Sequence, residues 1–423
     1  ETTFADNQAF TGPGGALAVF SSTVTLSGRT TFADNQAFTG GAVYAGESSS
    51  ISWDGHAEFV DNLASSGGAL NVQTSNVSWR GRTTFAHNRA YANYGGALSV
   101  LNASRVSWGG ETVFLNNSCA YFGGGLFLFA SSIAFDGNTT FRGNFASIGG
   151  GAVNAYQSSI SGASSNGQIV FANNLAGAGG ALWVQNSSAL WNGKAALAHN
   201  RAYNNSGGAI SVSRGSKVSW SGESTFLDNS ALGFGGAAVV WDDSNIFANN
   251  TAGSTGGGLA LNGMLHVTFQ SPDVLFIGNS ANVVGGAVFV SDFGVGPVFS
   301  AVRFVANFAG AGGGVYITGS GNENLDDFAF TPVHATKFDG CEFVDNRATT
   351  TGGAFESSAG QDHISNTSFK GNTAAIGGAL RLGGRTFLDD CSFVDNRSGE
   401  GAGPAVDNIG HVGRIANSSF IGN

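Results

Sequence analysis

Residues 83–98 read TTFAHNRAYANYGGAL, and this stretch holds the two signatures that decide the fold. The first is Phe-x-x-Asn, here Phe85 to Asn88, and the second is Gly-Gly-Ala, here Gly95 to Ala97. The Phe recurs at Phe4, Phe32, Phe59, Phe85, Phe114, Phe141, Phe171, Phe226, Phe247, Phe276, Phe304, Phe343, Phe369, Phe393 and Phe420, and Leu197 fills one further copy. Successive copies lie roughly 28 residues apart, so the chain is built from internal repeats.

Each repeat contains short runs in which apolar residues alternate with polar ones, such as Val77 to Trp79, Thr83 to Phe85 and Leu98 to Val100. Alternation with a period of two, interrupted by glycine corners, is typical of strands and not of helices. We therefore predict an all-β parallel β-helix solenoid of about 15–16 coils, with ~28 residues and three short strands per coil. By analogy with crossover connections we expect the coil to be right-handed.

In such a solenoid, equivalent residues of neighbouring coils lie over one another at the inter-strand spacing of about 4.8 Å. We predict that the motif Phe and the small residue two positions before it point inward, and that the Asn takes a corner. The glycine pair is expected at a corner that needs a positive φ or a close backbone approach. The structural ladder is predicted to include Phe32, Asn35, Phe59, Asn62, Phe85, Asn88, Phe114, Asn117, Phe141 and Asn144.

A single continuous β-helix is expected over residues 1–423, and because the chain begins and ends inside a motif we expect it to be part of a longer protein. The longest interval, from Phe304 to Phe343, predicts a loop insertion between coils over residues 318–338. Loops inserted into solenoids often carry function, although an ordinary excursion of the chain is the simpler interpretation.

The surface chemistry excludes some classes of partner. Only 11% of the residues are charged, and the net charge of −10 argues against binding to nucleic acid. No apolar run reaches the ~20 residues of a membrane span, so we predict no transmembrane segment in this stretch. Cys341 and Cys391 lie two coils apart, too far for a disulfide, and we predict that they and Cys119 are buried free thiols.

The sequence offers only weak candidates for a chemical site. Asp6, Asp34 and Asp61 occupy the same motif position in three successive copies, and aligned carboxylates could recruit a cation. His, Asn and Gly replace Asp at this position in other copies, as expected of a solvated edge. We found no nucleophile motif and no His or Cys spacing typical of a metal site, so we predict no catalytic residue, no cofactor and no metal.

Several Asn-x-Ser/Thr sequences offer acceptors for N-linked glycans in a eukaryotic source. The candidates are Asn76, Asn102, Asn186 and Asn204, and the last three are the best acceptors because we expect them in exposed corners. Covalent glycans would also explain how so few charges keep the surface soluble. The ladder residue Asn396 is expected to be unmodified.

The combination of Phe-x-x-Asn with Gly-Gly-Ala-[Leu/Ile/Val], in fifteen or sixteen copies, resembles the repeat of the chlamydial polymorphic outer membrane proteins. Other extracellular proteins carry the same repeat. The resemblance implies a surface-exposed β-helix with a role in adhesion or in a surface layer.

These observations predict an extracellular or cell-surface protein with a structural or adhesive role and without catalysis. It could be a subunit of a surface filament or layer, with other copies of itself or surface and matrix components as partners. One alternative is a polysaccharide-active β-helix enzyme, a lyase or a hydrolase. A second alternative is a face that binds carbohydrate or ice.

Overall fold

The computed structural model describes residues 1–162, 167–213, 216–220, 222–235, 239–241, 245–262, 268–269, 273–291, 297–318, 336–358, 361–399, 403–409 and 412–423. They form two compact units, Glu1–Glu223 (unit 1) and Ser224–Asn423 (unit 2). Each unit is an all-β parallel solenoid, and none of the described residues lies in a helix. Counted by the strands that carry the motif Phe, each unit has eight coils of about 27 residues.

Four parallel sheets run along unit 1, and each takes one strand from every coil. The Phe sheet carries the motif Phe and consists of Thr2–Ala5, Thr30–Ala33, Ala57–Val60, Thr83–Ala86, Thr112–Leu115, Thr139–Arg142, Gln168–Ala172 and Lys194–Ala198. The corner sheet follows the ladder Asn and consists of Gln8–Pro13, Gln36–Thr39, Leu63–Ala64, Arg89–Ala90, Ser118–Cys119, Phe145–Gly149, Leu175–Ala178 and Arg201–Ala202. The post-glycine sheet consists of Leu17–Phe20, Val43–Gly46, Leu70–Gln73, Leu98–Leu101, Leu126–Phe129, Val153–Tyr156, Leu182–Gln185 and Ile210–Ser213. The Trp sheet consists of Thr23–Leu26, Ser50–Trp53, Asn76–Trp79, Arg105–Trp108, Ser132–Phe135, Ser159–Gly162, Ser188–Trp191 and Lys217–Trp220.

Unit 2 follows the same plan. Its Phe sheet consists of Ser224–Leu227, Asn245–Ala248, Leu275–Ile277, Arg303–Val305, Glu342–Val344, Ser368–Lys370, Ser392–Val394 and Ser419–Ile421. Its corner sheet consists of Ser230–Ala231, Thr251–Ala252, Ser280–Ala281, Phe308–Ala311 and Arg347–Thr351. Its post-glycine sheet consists of Leu259–Asn262, Val288–Ser291, Val315–Thr318, Phe355–Ser357, Leu380–Leu382 and Val406–Asn408. The fourth sheet consists of Thr268–Phe269, Val298–Ser300, Thr336–Asp339, Gln361–Ser365, Arg385–Asp389 and Val412–Ala416, and Val239–Trp241 is a further strand.

The described coils of unit 1 have four strands, so the prediction of three strands per coil is wrong. The strand that the sequence did not reveal is that of the corner sheet. It is often only two residues long, as in Leu63–Ala64 and Arg89–Ala90. Two residues are too few to show a period-two pattern, so this strand has no signature in the sequence.

Like side chains stack on like side chains inside each unit. Phe32 pairs in register with Phe59, and their rings lie 4.9 Å apart with planes 6° from parallel. Trp79 lies over Trp108 at 4.9 Å and meets Phe85 edge-on at 6.1 Å. Aromatic side chains of this size bury roughly 150–250 Å² each, so the two ring ladders fill much of the core. The small residues before the Phe, including Thr30, Thr83, Thr112 and Thr139, are also buried, as predicted.

The ladder Asn residues form an unbroken chain of side-chain amides within each unit. The Oδ1 atom of Asn62 accepts the backbone N–H of Asn35 at 3.0 Å and the side-chain amide of Asn35 at 2.9 Å. The Nδ2 atom of Asn62 donates to Asn88 Oδ1 at 2.9 Å and to the carbonyl of Phe32 at 3.0 Å. These four bonds use every donor and acceptor of the amide, so the buried Asn leaves no polar group without a partner.

The two residues of each glycine pair are needed for different reasons. Gly67 has a φ of +59°, in the left-handed region that residues with a Cβ rarely adopt. Gly68 has no such φ, but a Cβ there would lie 2.1 Å from the carbonyl oxygen of Gly96 in the next coil. The first glycine therefore allows the turn, and the second allows neighbouring coils to approach closely.

Replacing a single ladder amide should destabilise unit 1. We expect Asn88→Ala to lower the free energy of unfolding by roughly 2–4 kcal/mol, because it leaves buried groups of Asn62 and the Phe59 carbonyl without partners. Urea unfolding followed by tryptophan fluorescence measures this. The control is Asn116→Gly, at an exposed position with a φ of +52°, which should change the midpoint little. Equal losses in both variants would contradict the role of the amide ladder.

Candidate functional site

The position of Asp6, Asp34 and Asp61 is a turn with a left-handed backbone. Their φ angles are +56°, +53° and +54°, and all three side chains are exposed. The equivalent residues of unit 1, which also have positive φ, are His87, Asn116, Gly143, Asn173 and His199. In unit 2 they are Asp228, Asn249, Gly278, Ala306, Asp345, Gly371, Asp395 and Gly422. Gly, Asn, Asp and His are the residues that tolerate this conformation best, so backbone geometry accounts for most of the choices at this position.

This column does not converge into a metal centre. Asp61 has His87 as its neighbour in the next coil, with 3.9 Å between Oδ1 and Nδ1. Across the ranges that the structure describes, no group of three or more His, Cys, Asp or Glu side chains could hold a metal ion. A solvated turn that repeats in each coil accounts for the exposed carboxylates. The binding of a cation by these carboxylates stays a prediction.

A second hydrogen-bonded ladder was not found from the sequence. In unit 1 the backbone N–H of one serine donates to the hydroxyl of the serine in the next coil, as in Ser75 to Ser104 at 3.1 Å. The residues of this ladder are Ser22, Ser49, Ser75, Ser104, Ser131, Ser158, Ser187 and Ser216. Each lies four residues before the last residue of its Trp-sheet strand. That spacing was readable, but serine is so frequent in this chain that the pattern did not stand out.

The three cysteines are buried and free, as predicted. The Cys119 thiol donates to the carbonyl of Asn93 at 2.8 Å, and the Cys341 thiol faces the carbonyl of Phe299 at 3.3 Å. Burial raises the pKa of Cys119 to about 11 and that of Cys341 to about 12, and it also raises the pKa of Cys391. Thiols with such pKa values hold almost no thiolate near neutral pH and are poor nucleophiles.

We therefore expect slow modification of the thiols in the folded protein. At pH 8 an aromatic disulfide reagent should react with all three at least about 100-fold more slowly than after unfolding in urea, because only the thiolate attacks. Absorbance of the released thiolate gives the rate. The variant Ser147→Cys, at an exposed position, supplies a thiol that should react at the unhindered rate. Rapid modification of a native cysteine in the folded chain would contradict its burial.

Asp362 is a buried acid that the sequence analysis missed. Its side chain is only 1% exposed and lies in register between Thr336 and Thr386, which are also buried. Burial raises the pKa of Asp362 to about 7, although its polar neighbours Ser357, Thr336 and Thr386 lower it in part. An apolar residue fills the corresponding inward position in many coils of unit 1, for example Ile51 and Val77. One acidic residue in a series of apolar inward residues cannot be recognised from the sequence until the pairing of the strands is known.

The stability of unit 2 should depend on pH through Asp362. Because its pKa is raised on folding, its stabilising contribution is complete below the unfolded pKa of about 4 and is lost as the pH rises to about 7 and above. We expect Asp362→Asn to leave stability nearly unchanged at pH 4 and to raise it at pH 8 by up to roughly 4 kcal/mol, at 1.36 kcal/mol per pKa unit.

Hydrogen exchange in the strand Gln361–Ser365, measured at both pH values, localises the effect. The control is Asp345→Asn, the same chemical change at an exposed turn. An increase in stability of Asp362→Asn that is equal at pH 4 and pH 8 would show that the carboxyl of Asp362 does not cause the pH dependence.

The four glycan acceptors predicted from the sequence lie on the surface. Asn76, Asn102, Asn186 and Asn204 are exposed, whereas Asn396 is buried in the amide ladder. Occupancy of the four sites stays a prediction.

The predicted insertion over residues 318–338 lies largely outside the described residues, because residues 319–335 are not among them.

The outer face of the Trp sheet carries hydroxyl groups in two rows, which run across the strands from coil to coil. Thr25 and Ser52 of neighbouring coils are hydrogen-bonded at 3.0 Å. Farther along, Ser50, Ser78, Ser107 and Ser159 line a shallow groove of about 380 Å³. Arg105 and Ala134 interrupt the two rows within the groove.

A different edge of unit 1 exposes apolar side chains. We call it the corner ridge, the segments between the ladder Asn and the glycine pair at residues 89–94, 118–122, 145–149, 175–178 and 201–206. Of the nine large apolar side chains that are exposed among the described residues of unit 1, five lie on this ridge: Tyr91, Tyr94, Tyr121, Phe145 and Ile148. Two more, Phe10 and Phe38, occupy the same segment of earlier coils. The short corner strand that the sequence did not reveal is what brings these side chains to one edge.

Comparison with known proteins gives one match. The family model of the Chlamydia polymorphic membrane protein repeat matches residues 273–291. This range contains both signatures of one coil, Phe276 to Asn279 and Gly285 to Ala287. No curated protein matches the chain, and no solved structure does. The chain is thus similar to this repeat family over one coil, which agrees with the resemblance seen in the sequence.

No stretch of the described residues forms a helix of the length and hydrophobicity that crossing a bilayer requires.

Proposed function

We propose that this chain is a structural or adhesive solenoid of the cell exterior and has no catalytic role. The observation that carries the proposal is the use of the repeated residues. In the described coils the motif Phe, the ladder Asn and the glycines pack or hydrogen-bond against neighbouring coils. Their side chains and backbone are therefore not available to a ligand. The position of Asp61 and His87, which varies widely from coil to coil, lies on the surface at a left-handed turn. A rigid repeated interior with a variable exterior suits a scaffold that presents surfaces.

The similarity to a membrane protein repeat supports a place at the cell surface. Exposure of Asn76, Asn102, Asn186 and Asn204 is compatible with glycan cover there. Other copies of the chain, or surface and matrix components, are the partners that a scaffold of this kind would contact. Assembly into a filament or a layer is the more specific form of the proposal.

Two alternatives remain, and each has its own requirement. A polysaccharide lyase or hydrolase needs convergent acidic groups in a groove, whereas Asp6, Asp34 and Asp61 are exposed on a turn. A face that binds ice or neutral carbohydrate is favoured by the hydroxyl groove of the Trp sheet. The interruption of that groove by Arg105 and Ala134 makes it a poor match to a regular lattice.

Surface location is tested on intact cells that produce the protein. A membrane-impermeant amine reagent should label the chain through exposed lysines, of which Lys194 and Lys370 are two, without permeabilisation. A cytoplasmic protein of the same cells serves as the control and should stay unlabelled. Labelling that appears only after lysis would contradict an extracellular role.

Assembly and catalysis need separate measurements. Electron microscopy of native material should show filaments or a layer with a regular repeat if the chain is an assembly subunit. Single particles only would reduce the proposal to a monomeric adhesin. Release of reducing or unsaturated ends from a polyuronate by the purified chain would replace the proposal with the enzyme alternative.

A further inference from the structure

The charge of the chain is unevenly distributed. Residues 87–206 contain five Lys or Arg residues and only two carboxylates, which gives this segment a net charge of +3. The whole chain has a net charge of −10, so the remainder is strongly acidic. A cationic segment in an acidic protein indicates an anionic partner for that segment.

Some charged side chains of this segment form ion pairs with described residues, and the other basic side chains do not. Glu111 pairs with Arg82 at 3.6 Å, and Lys194 pairs with Glu223 at 2.6 Å, both away from the corner ridge. Arg89, Arg105, Arg142 and Arg201 are exposed and form no ion pair with any described residue, and Arg105 lies apart from the other three, on the Trp sheet. They are therefore available to a charged ligand.

Arg89 and Arg201 lie in one column of the corner ridge, whereas Arg142 ends a strand of the neighbouring Phe sheet. Arg89 and Arg201 follow the ladder residues Asn88 and Asn200, and Arg142 lies two residues before Asn144. Asn88, Asn144 and Asn200 are alternate members of the amide ladder, with Asn117 and Asn174 between them. At an inter-strand spacing of about 4.8 Å, successive arginines are two coils apart, which is an axial step of roughly 10 Å. Arg142 lies across the buried Asn144 corner from the column of Arg89 and Arg201.

Aromatic rings lie along the corner ridge and are held by their neighbours. Tyr94 stacks on Phe127 with 4.5 Å between ring centroids and planes 17° apart. Phe145 and Tyr203 lie nearly parallel at 6.5 Å, on either side of the coil that carries Gly177. The Tyr203 hydroxyl donates to the carbonyl of Ser147, which fixes the ring across that glycine. The ridge thus presents fixed aromatic faces, and its five segments contain no Asp or Glu.

We infer that the corner ridge of unit 1 binds an acidic carbohydrate chain that lies across successive coils. Aromatic faces pack against the C–H faces of sugar rings, and guanidinium groups bind carboxylate or sulfate groups in a bidentate manner. Unpaired arginines disfavour a neutral sugar as the ligand, since they would gain no charged partner. The inference deepens the proposed function, on which it rests, by naming a class of partner for an adhesive scaffold.

Nucleic acid fits the ridge less well. A stacked strand carries a phosphate about every 3.4 Å, far more densely than arginines spaced roughly 10 Å apart can neutralise. Acidic polysaccharides that carry one anionic group per disaccharide have a wider charge spacing. The net charge of −10 also repels a dense polyanion more strongly than a sparse one.

Calorimetric titration of the full chain with four probes tests the inference. Hyaluronate oligosaccharides supply one carboxylate per disaccharide and kappa-carrageenan oligosaccharides supply one sulfate per disaccharide, while dextran is neutral and oligo-dT is a nucleic acid. We expect at least one acidic sugar to bind, with an affinity that falls as salt rises, and dextran not to bind. Whichever acidic sugar binds more tightly identifies the anionic group.

Variants connect the binding to the ridge. The triple variant R89Q/R142Q/R201Q should weaken binding at least about 10-fold, and Tyr91→Ala and Tyr121→Ala should each weaken it roughly 3- to 10-fold. The matched control is Arg105→Gln, an exposed arginine on the Trp sheet, which should bind as the parent does. Urea midpoints of all variants establish that the fold is retained.

Three outcomes overturn the inference. They are no binding of either acidic sugar, tighter binding of oligo-dT, or an equal loss of affinity in Arg105→Gln and in a single ridge variant, Arg89→Gln. None of these outcomes affects surface labelling of intact cells, so failure of this inference is distinguishable from failure of the proposed function.

Discussion

The hydrogen bonds of the ladder asparagines are the constraint on which the rest of the structure depends. Each amide joins its own coil to the coils before and after it, and it does so at a buried corner where water cannot substitute. An amide that shifted along the chain by one residue would lose four bonds at once. The ladder therefore fixes the register, and a fixed register in turn sets Phe59 over Phe32 and Trp108 over Trp79.

The glycine pair is the second half of this constraint. The coils can close only if the backbone at Gly68 approaches the carbonyl of Gly96, which leaves no room for a side chain. Between these two fixed points, the ladder Asn and the glycine pair, the chain is free to vary in length and composition. Residues on the corner ridge, such as Tyr91 and Phe145, belong to this free segment, and that is why the surface can differ among coils with one interior.

The roles of residues that repeat once per coil could be predicted from the sequence. The roles of residues that depend on which strands pair, and in which register, could not. Phe85, Asn88 and Gly95 could be assigned because each repeats about every 28 residues and has one physical role. The corner strand Arg89–Ala90 was missed because two residues show no period. At Asp34 and Asp61 the sequence suggested a column of carboxylates, whereas a left-handed φ accounts for these residues together with His87 and Gly143. The corner ridge needed both the extra strand and the pattern of exposure, so only the structure could assemble it.

The amide ladder also has an electrical consequence. In unit 1 each ladder amide from Asn7 to Asn174 donates its side-chain N–H to the Oδ1 atom of the following coil, and in unit 2 the order is the same. Amide dipoles joined in one direction add and polarise one another, as peptide groups do in an α-helix. A β-sheet has only a small net dipole of its own. Each unit therefore possesses, in a column of side chains, a macrodipole that its backbone alone would lack.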